Sequence, residues 1–514
     1  MKRILSVILI SMLLLSVISA CGTTSSQSTD AVSEGGPEGL IGQGIRVASQ
    51  NEPATIAPAI HNTVVSAHKN LMTHNALFRI HYSSLEPVPD LVSHWQALSD
   101  TMFEFTVYEG IMFHNGEELT AYDIEASWQT IRQFVPGAAH ESITDFYVVD
   151  RYTIAVDTRE PNAMLFFDLA HQSNMIAPRS LLEAGHDFNA APIGSGPFEF
   201  REWRTGSYIH FEAFDNYFDT NRAAKVDHVT WLFIPEGSSR TIALELGEID
   251  YIMEVASSDI ARLSDNSNVS VVILPSLIHQ HLILNNDRPQ FSNIHARRAI
   301  AMAINKETMV YSAFGEFGIP TFSQAPDAFS GATDEGSYSF DPDGARALLA
   351  EYNIDPVSLA FNIIVSNEER SAMAEVIQVY LADIGIPVTI TRRDLGTTLT
   401  MTTAGDYEAA FAGFTSASLT GFMRGLFHHE FINQTNRSRV RNQELSDLID
   451  QAIITVDTDA RDAILRDAVI MANEFTYQIP IHMSMIVSAF NTNLTVPEIS
   501  ATGFLNLNMM SWVE

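Results

Sequence analysis

The side chains in this sequence best spaced for chemistry are histidines. His279 and His281 stand two residues apart, so on an extended strand both project from one face, as metal ligands can. His428-His429-Glu430 adds two imidazoles and a carboxylate, but neighbours on a strand point to opposite faces and no third ligand follows at a fixed spacing. Two readings stay open for these residues: metal ligands, or histidines that line a pocket or simply pack. Other reactive patterns are missing. The chain has no HExxH, GxSxG, Walker loop, CxxC or strand-borne GxGxxG. Gly194-Ser195-Gly196-Pro197 has the wrong spacing to cradle phosphate and fits a tight chain crossing. None of the 62 acids forms a distinctive catalytic pair. The sequence therefore calls for no catalytic residue, no resident metal and no cofactor.

A body of 514 residues, 46% apolar and 18% charged, has enough chain for two or three domains with a large core. Its 62 acids against 29 bases, net charge −33, exclude a basic nucleic-acid binder and repel anionic lipid. Lysine is scarce: Lys2, Lys69, Lys225 and Lys306 are the only four. Lys2 and Arg3 precede an apolar run from Ile4 to Ile18, short for a bilayer span of roughly 20 residues and suited to a secretory leader. The run ends in Ile18-Ser19-Ala20-Cys21, and Cys21 is the sole cysteine, so no disulfide can form within the chain. These four residues resemble the bacterial lipobox, which implies cleavage after residue 20 and lipid on Cys21; ordinary cleavage leaving an incidental thiol is the alternative. Residues 21–43 are rich in Gly, Ser, Thr, Asp and Glu and read as a flexible tether. No later stretch is long and apolar enough to span a membrane.

Several elements must position the candidate residues. Alternation at Phe103, Phe105 and Val107 and at Tyr152, Ile154 and Val156 predicts half-buried strands around one helix. That helix starts at Thr120, with Asp123 as capping partner and Ile124, Trp128 and Ile131 as its apolar face. Leu359 to Val365 predicts a buried strand, followed by helical spacing from Met373 to Ile384, a stop at Gly385, and a second strand at Ile386, Val388 and Ile390. This is a βαβ unit with a parallel strand pair. Two amphipathic helices follow, one carrying Leu445 to Val456 and the other Ile464 to Phe475. Arg297 and Arg298, adjacent on one helix, diverge by about 100° and read as structural ion-pair formers.

A set of short motifs runs in order over most of the chain. It comprises Asn51-Glu52-Pro53-Ala54-Thr55, Phe113-His114-Asn115-Gly116 with Leu119 to Asp123, Gly194 to Phe198 with Trp203, Gly247-Glu248-Ile249-Asp250, Phe291 to Ile304, and Ile479-Pro480-Ile481. Together they resemble the family 5 extracellular solute-binding proteins, the peptide, oligopeptide and nickel receptors of ABC importers. The resemblance implies an α/β, two-lobed periplasmic-binding-protein-like fold (type II, cluster C) with an extra inserted domain. The implied division is lobe I at 44–80, 191–278 and 488–514, the inserted domain at 81–190, and lobe II at 279–487. It also implies a monomeric, non-enzymatic receptor, held outside the membrane only by lipid, that closes as a hinge on its ligand and hands it to permease and ATPase subunits.

Peptide-binding relatives carry an acid and a tryptophan in the segment that resembles Ala412 to Phe422. Here Phe414 takes the tryptophan position, and no acid occurs from Ala409 to His429. Thr415, Ser416 and Ser418 offer neutral hydrogen bonding instead. His61 and Asn62 from the first lobe, and Gln280 and His281 near the crossing between lobes, complete the expected ligand wall. Peptides or peptide-like molecules are the first expectation for the ligand. An oligosaccharide or a metal chelate, or a sensing rather than importing lipoprotein, are the alternatives.

Overall fold

The computed structural model describes residues 43–58, 64–134 and 142–513. The leader, Cys21, the tether up to residue 42, His61 and Asn62 lie outside the described residues.

One mixed sheet of eleven strands organises the body. Its order runs Val388–Arg392, Phe361–Val365, Ala409–Phe414, Val269–Leu284, Gln478–Asn491, Tyr251–Ile252, Gly44–Ser49, His228–Phe233, Tyr208–Ala213 and Phe198–Arg204, with Ile319–Pro320 also paired to Gln478–Asn491. Two long antiparallel strands, Val269–Leu284 and Gln478–Asn491, run through both halves. The half around Gly44–Ser49, the first lobe, is packed by Ile45, Val47, Phe198, Phe211, Trp231 and Tyr251. A separate core of Leu282, Phe291, Ile300, Phe361, Ile377 and Ile479 fills the half around Phe361–Val365, the second lobe.

The predicted βαβ unit forms as the second lobe's edge. Phe361–Val365 pairs in parallel with Val388–Arg392 through the crossover helix Glu368–Asp383, and Gly385 ends it at φ 83°. Leu359 belongs to a short 3-10 turn ahead of the strand rather than to the strand. Between the lobes' sequences lies a four-stranded antiparallel sheet, ordered Val92–Ala97, Met102–Val107, Thr153–Thr158 and Ile143–Val148. Helix Ala121–Phe134 covers it with buried Ile124, Trp128 and Ile131. The Asp123 carboxylate accepts the Thr120 N–H and O–H, each at 2.8 Å, so Asp123 is the capping partner expected, while its own N–H donates to the Thr120 carbonyl.

Gly194 and Gly196 make the expected close crossing. A Cβ on either would lie 2.2–2.5 Å from the carbonyls of Thr73 and Met72 at the end of helix Val64–Thr73, so only glycine fits. Two expectations are corrected. Val456 lies beyond helix Gln443–Ile454 and is exposed. Arg297 and Arg298 form no ion pairs among the described residues. Arg297 donates to the carbonyls of Phe291, Phe475 and Thr476, and Arg298 to that of Glu474. The last turn of helix Thr458–Phe475 leaves carbonyls without helical partners, and guanidinium groups satisfy them better than they would find a mobile carboxylate.

Candidate functional site: the wall between the lobes

Two irregularities, between Pro275 and His279 and between Gln280 and His281, interrupt the pairing of the two long strands. Pairing runs from Val269↔Asn491 to Pro275↔Met485 and resumes at His279↔Met483, so Ser276, Leu277 and Ile278 oppose Ser484 alone. Proline at 275 supplies no N–H to the ladder. Other partners hold the bulge: the Ser276 hydroxyl donates to the Ser484 carbonyl at 2.6 Å, and the Leu277 N–H to the Ala501 carbonyl at 2.7 Å. The passage from one lobe to the other therefore has an interrupted ladder, which bends more easily than a continuous one.

Charged residues collect beside this hinge. From the first lobe, helix Val64–Thr73 brings Lys69, 1% exposed, with its ammonium 3.4 Å from the Trp231 ring centroid and no hydrogen-bond partner among the described residues. Glu254 follows strand Tyr251–Ile252, remains open to solvent, and accepts the Gln50 N–H at 3.1 Å. Arg240 is buried and donates to the carbonyls of Ile234, Pro235 and Glu254.

From the second lobe, Asn367 caps helix Glu368–Asp383, which starts at the carboxyl end of a parallel strand. Open α/β sheets bind ligands at such ends, and the helix N-terminus adds partial positive charge. Glu369 and Arg370 stand in its first turn. Arg370 donates to Ser366 Oγ at 2.7 Å and to Gln280 Oε1 at 3.1 Å, and Gln280 in turn donates to Ser484 Oγ at 3.1 Å.

The electrostatics link the two sides. Burial pushes Lys69 well below the usual lysine range, against the pull of the Glu254 carboxylate. Surrounding protein displaces water around Glu254 and Glu369 and raises both although each still reaches solvent, and desolvation lowers Arg370 to about 10. Arg240 of the first lobe and Glu369 of the second each feel the other's charge. A recess of about 420 Å³ also opens beside the hinge, lined by Leu274, Pro275, Phe490, Val496 and Ile499, but Glu498 is its only charged group. It lacks the opposed charges of the wall.

The residues singled out from sequence fall in different places. Gln280 joins the wall through Arg370. His281 is 1% exposed and sits behind it, hydrogen-bonded at 2.7 Å to His279, with Phe422 packed on both rings. Burial lowers the His281 imidazole to about 3 and His279 well below the ordinary value. Phe414 is half-buried, 5.4 Å from Phe422, and its ring occupies the space a Cβ on Gly425 would need. Ser418 caps helix Leu419–Phe427 by accepting the Gly421 N–H, and its hydroxyl lies 3.7 Å from Met164 Sδ. Ser416 accepts the Ser418 N–H at 3.4 Å, and the Thr415 hydroxyl is buried without a partner. His428 lies 3.2 Å from Asp450, and among the described residues no three potential ligands gather as a metal site.

Lys69, Arg240, Glu254, Glu369 and Arg370 were not foreseen. One signal existed for Lys69: a rare lysine inside the otherwise uncharged helical segment Val64–Thr73. The four-stranded-sheet region also touches the second lobe. Arg424 of helix Leu419–Phe427 reaches Asp168 at 3.3 Å, with both side chains nearly buried, and the Ala163 N–H donates to the Ile453 carbonyl at 2.8 Å.

Comparison with known proteins gives this geometry its context. The model for bacterial extracellular solute-binding proteins, family 5 (middle region), matches residues 86–429. The chain belongs to that family. Its relatives include the glutathione-binding protein GsiB of Salmonella paratyphi A, 24% identical over 409 residues that cover 76% of this chain and 80% of GsiB. Among solved structures it resembles the ABC transporter-associated periplasmic binding protein DppA of Helicobacter pylori, in complex with the peptide STSA. The TM-score is 0.85 at 23% identity, over 92% of this chain and 99% of DppA. AgaA of A. tumefaciens R10, in complex with agropinic acid, matches with a TM-score of 0.83 at 22% identity, over 92% and 99% of the two chains. This family 5 protein thus has the two-lobed periplasmic-binding-protein fold, and is a solute-binding component of ABC importers rather than an enzyme. It works outside the cytoplasm and passes bound solute to a permease. Among its described residues no helix is long and apolar enough to cross a membrane.

Proposed function

We propose that this receptor is anchored by lipid on Cys21 and captures peptides or peptide-like molecules between its lobes, the lobes being 44–80 with 191–278 and 488–514, and 279–487, with 81–190 inserted. The observation that carries the ligand class is the wall itself. The reading is supported by an acid, Glu254, on the first lobe and by Arg370 with a helix N-terminus on the second. A ligand with an ammonium at one end and a carboxylate at the other satisfies both. The acid missing from residues 409–429 is then supplied by the opposite lobe, since an ammonium buried without a carboxylate is strongly disfavoured. Phe414 offers an aromatic face, and Thr415, Ser416 and Ser418 offer hydrogen bonds to peptide groups, with His61 and Asn62 assigned to the first-lobe side.

The test uses Glu254→Gln and calorimetric titration with a tripeptide and its N-acetylated form. The wild type binds the free amine at least tenfold more tightly, about 1.4 kcal/mol, and the substitution removes that preference. Native mass spectrometry of the purified protein reads the mass of any co-purified ligand. An unchanged preference in the variant would remove Glu254 from the site.

A further inference from the structure

We infer that Gln280 is a positioning residue that ties the Arg370 guanidinium to the crossing between the lobes, so that a ligand held by Arg370 also sets the angle between them. The inference rests on Arg370 belonging to the ligand site, and adds the route by which its occupancy reaches the hinge.

The observation is a run of hydrogen bonds whose ends lie in different elements. Arg370, in the first turn of helix Glu368–Asp383, donates to Gln280 Oε1 at 3.1 Å, and Gln280 Nε2 donates to Ser484 Oγ at 3.1 Å. Ser484 is the residue set against the bulge, and its carbonyl accepts the Ser276 hydroxyl at 2.6 Å. That hydroxyl in turn accepts the Ile278 N–H at 3.0 Å. A relay of three side chains, Arg370, Gln280 and Ser484, therefore joins the helix N-terminus to the bulged backbone of both long strands.

Register places Gln280 where the ladder can give. His279 and Gln280 are the residues caught between the break at Pro275/His279 and the break at Gln280/His281, so this short stretch is held by few ladder bonds of its own. The neighbouring strand Ala409–Phe414 makes room for the side chain: Gly413 stands opposite Gln280, and a Cβ there would lie 2.7 Å from the Gln280 amide nitrogen. Because a guanidinium only donates, the amide has one orientation, oxygen toward Arg370 and nitrogen toward Ser484, and an amide is the group that can accept at one end and donate at the other. A ligand shifts the balance between hinge angles only through contacts that differ between them. When the crossing bends, Ser484 moves relative to Gln280 and the guanidinium loses the acceptor that orients it. A carboxylate on Arg370 thus favours the angle at which the relay is intact.

The experiment is a double-substitution cycle on the full mature chain, Arg370→Gln and Ser484→Ala singly and together. Trialanine affinity is read by calorimetry, and the radius of gyration by X-ray scattering with and without the peptide. Ser484→Ala is expected to weaken binding about fivefold in the wild type but less than about twofold in Arg370→Gln, and to shrink the ligand-induced fall in radius. Gly413→Ala, which displaces the Gln280 amide, should act as Ser484→Ala does, and takes its place if that variant fails to fold. Additive effects, or no effect of Ser484→Ala while Arg370→Gln weakens binding, overturn the relay and leave the ligand site intact. Arg370→Gln without effect removes Arg370 from the site and overturns the relay with it. Should trialanine not bind, the peptide reading falls and ligand-free scattering decides for the hinge: matching changes of radius in Ser484→Ala and Gln280→Leu uphold the tie, and profiles equal to the wild type overturn it.

Discussion

His281 and His482 show what burial does to one side chain. Both are enclosed, with burial as the main cause of their low affinity for protons, about 3 for His281 and about 4 for His482 against an ordinary value of 6.5. Neither ring nitrogen of His482 has a hydrogen-bond partner among the described residues, and Phe314 meets the ring edge to face. Once unfolded, these imidazoles take up protons below about pH 6.5 that the folded state refuses until about pH 4. Stability is therefore fully present above pH 6.5 and falls as pH drops toward 4, by up to about 1.4 kcal/mol per pH unit for each histidine. Urea unfolding at pH 7.0, 5.5 and 4.5 measures the slope, and His482→Leu should flatten it. The period-2 spacing of His279 and His281 was readable as one face of a strand, but which side that face met was not. That depends on helix Leu419–Phe427, more than 130 residues later, which brings Phe422 against both rings.

Between elements, the contact from helix Leu165–Leu169 to helix Leu419–Phe427 joins two separately cored parts of the molecule. Asp168 and Arg424 are both nearly buried in it, so removing one partner leaves the other charge without its counter-ion. Arg424→Gln should shift the ligand-free protein toward an open form. The radius of gyration by X-ray scattering should rise, and ligand affinity should fall about tenfold because the closing step carries a larger cost. An unchanged scattering profile would mean that the pair does not govern closure. Elements of this kind were unevenly legible. The βαβ unit was read from Phe361 to Ile390 because strand, crossover and Gly385 are local signals. The hinge was not, because a bulge is defined by a partner strand some 200 residues away, and Ser276-Leu277-Ile278 alone looks like more strand. Nor could spacing show Lys69 coming within electrostatic reach of Glu254, since they come from distant segments.

For the molecule as a whole, the proposed anchor makes a clear demand. Cys21→Ala should move the protein from the membrane fraction to the soluble extracytoplasmic fraction and abolish incorporation of labelled fatty acid, while peptide binding by the purified protein stays unchanged. Retention of the variant in membranes would show that something other than Cys21 holds it. The family's motif order was legible because those motifs mark tight structural places: the cap at Thr120, the crossing at Gly194 and Gly196, and the Gly247 turn that leads to Asp250, paired with Arg46 at 2.7 Å. They identify the scaffold, whereas the ligand is read by side chains that the scaffold leaves free to vary.

The position of strand Gln478–Asn491 has a consequence for how the chain is made. It is the last long strand to leave the ribosome, yet it lies in the middle of the sheet, between Tyr251–Ile252 and Val269–Leu284. Until it arrives, neither half of the sheet can close, and the earlier strands keep unpaired edges. Synthesis order thus delays completion of the large sheet until Gln478–Asn491 has been made, which suits a polypeptide that works outside the cytoplasm. A truncated chain ending before Gln478 should remain protease-sensitive however long it is left to fold.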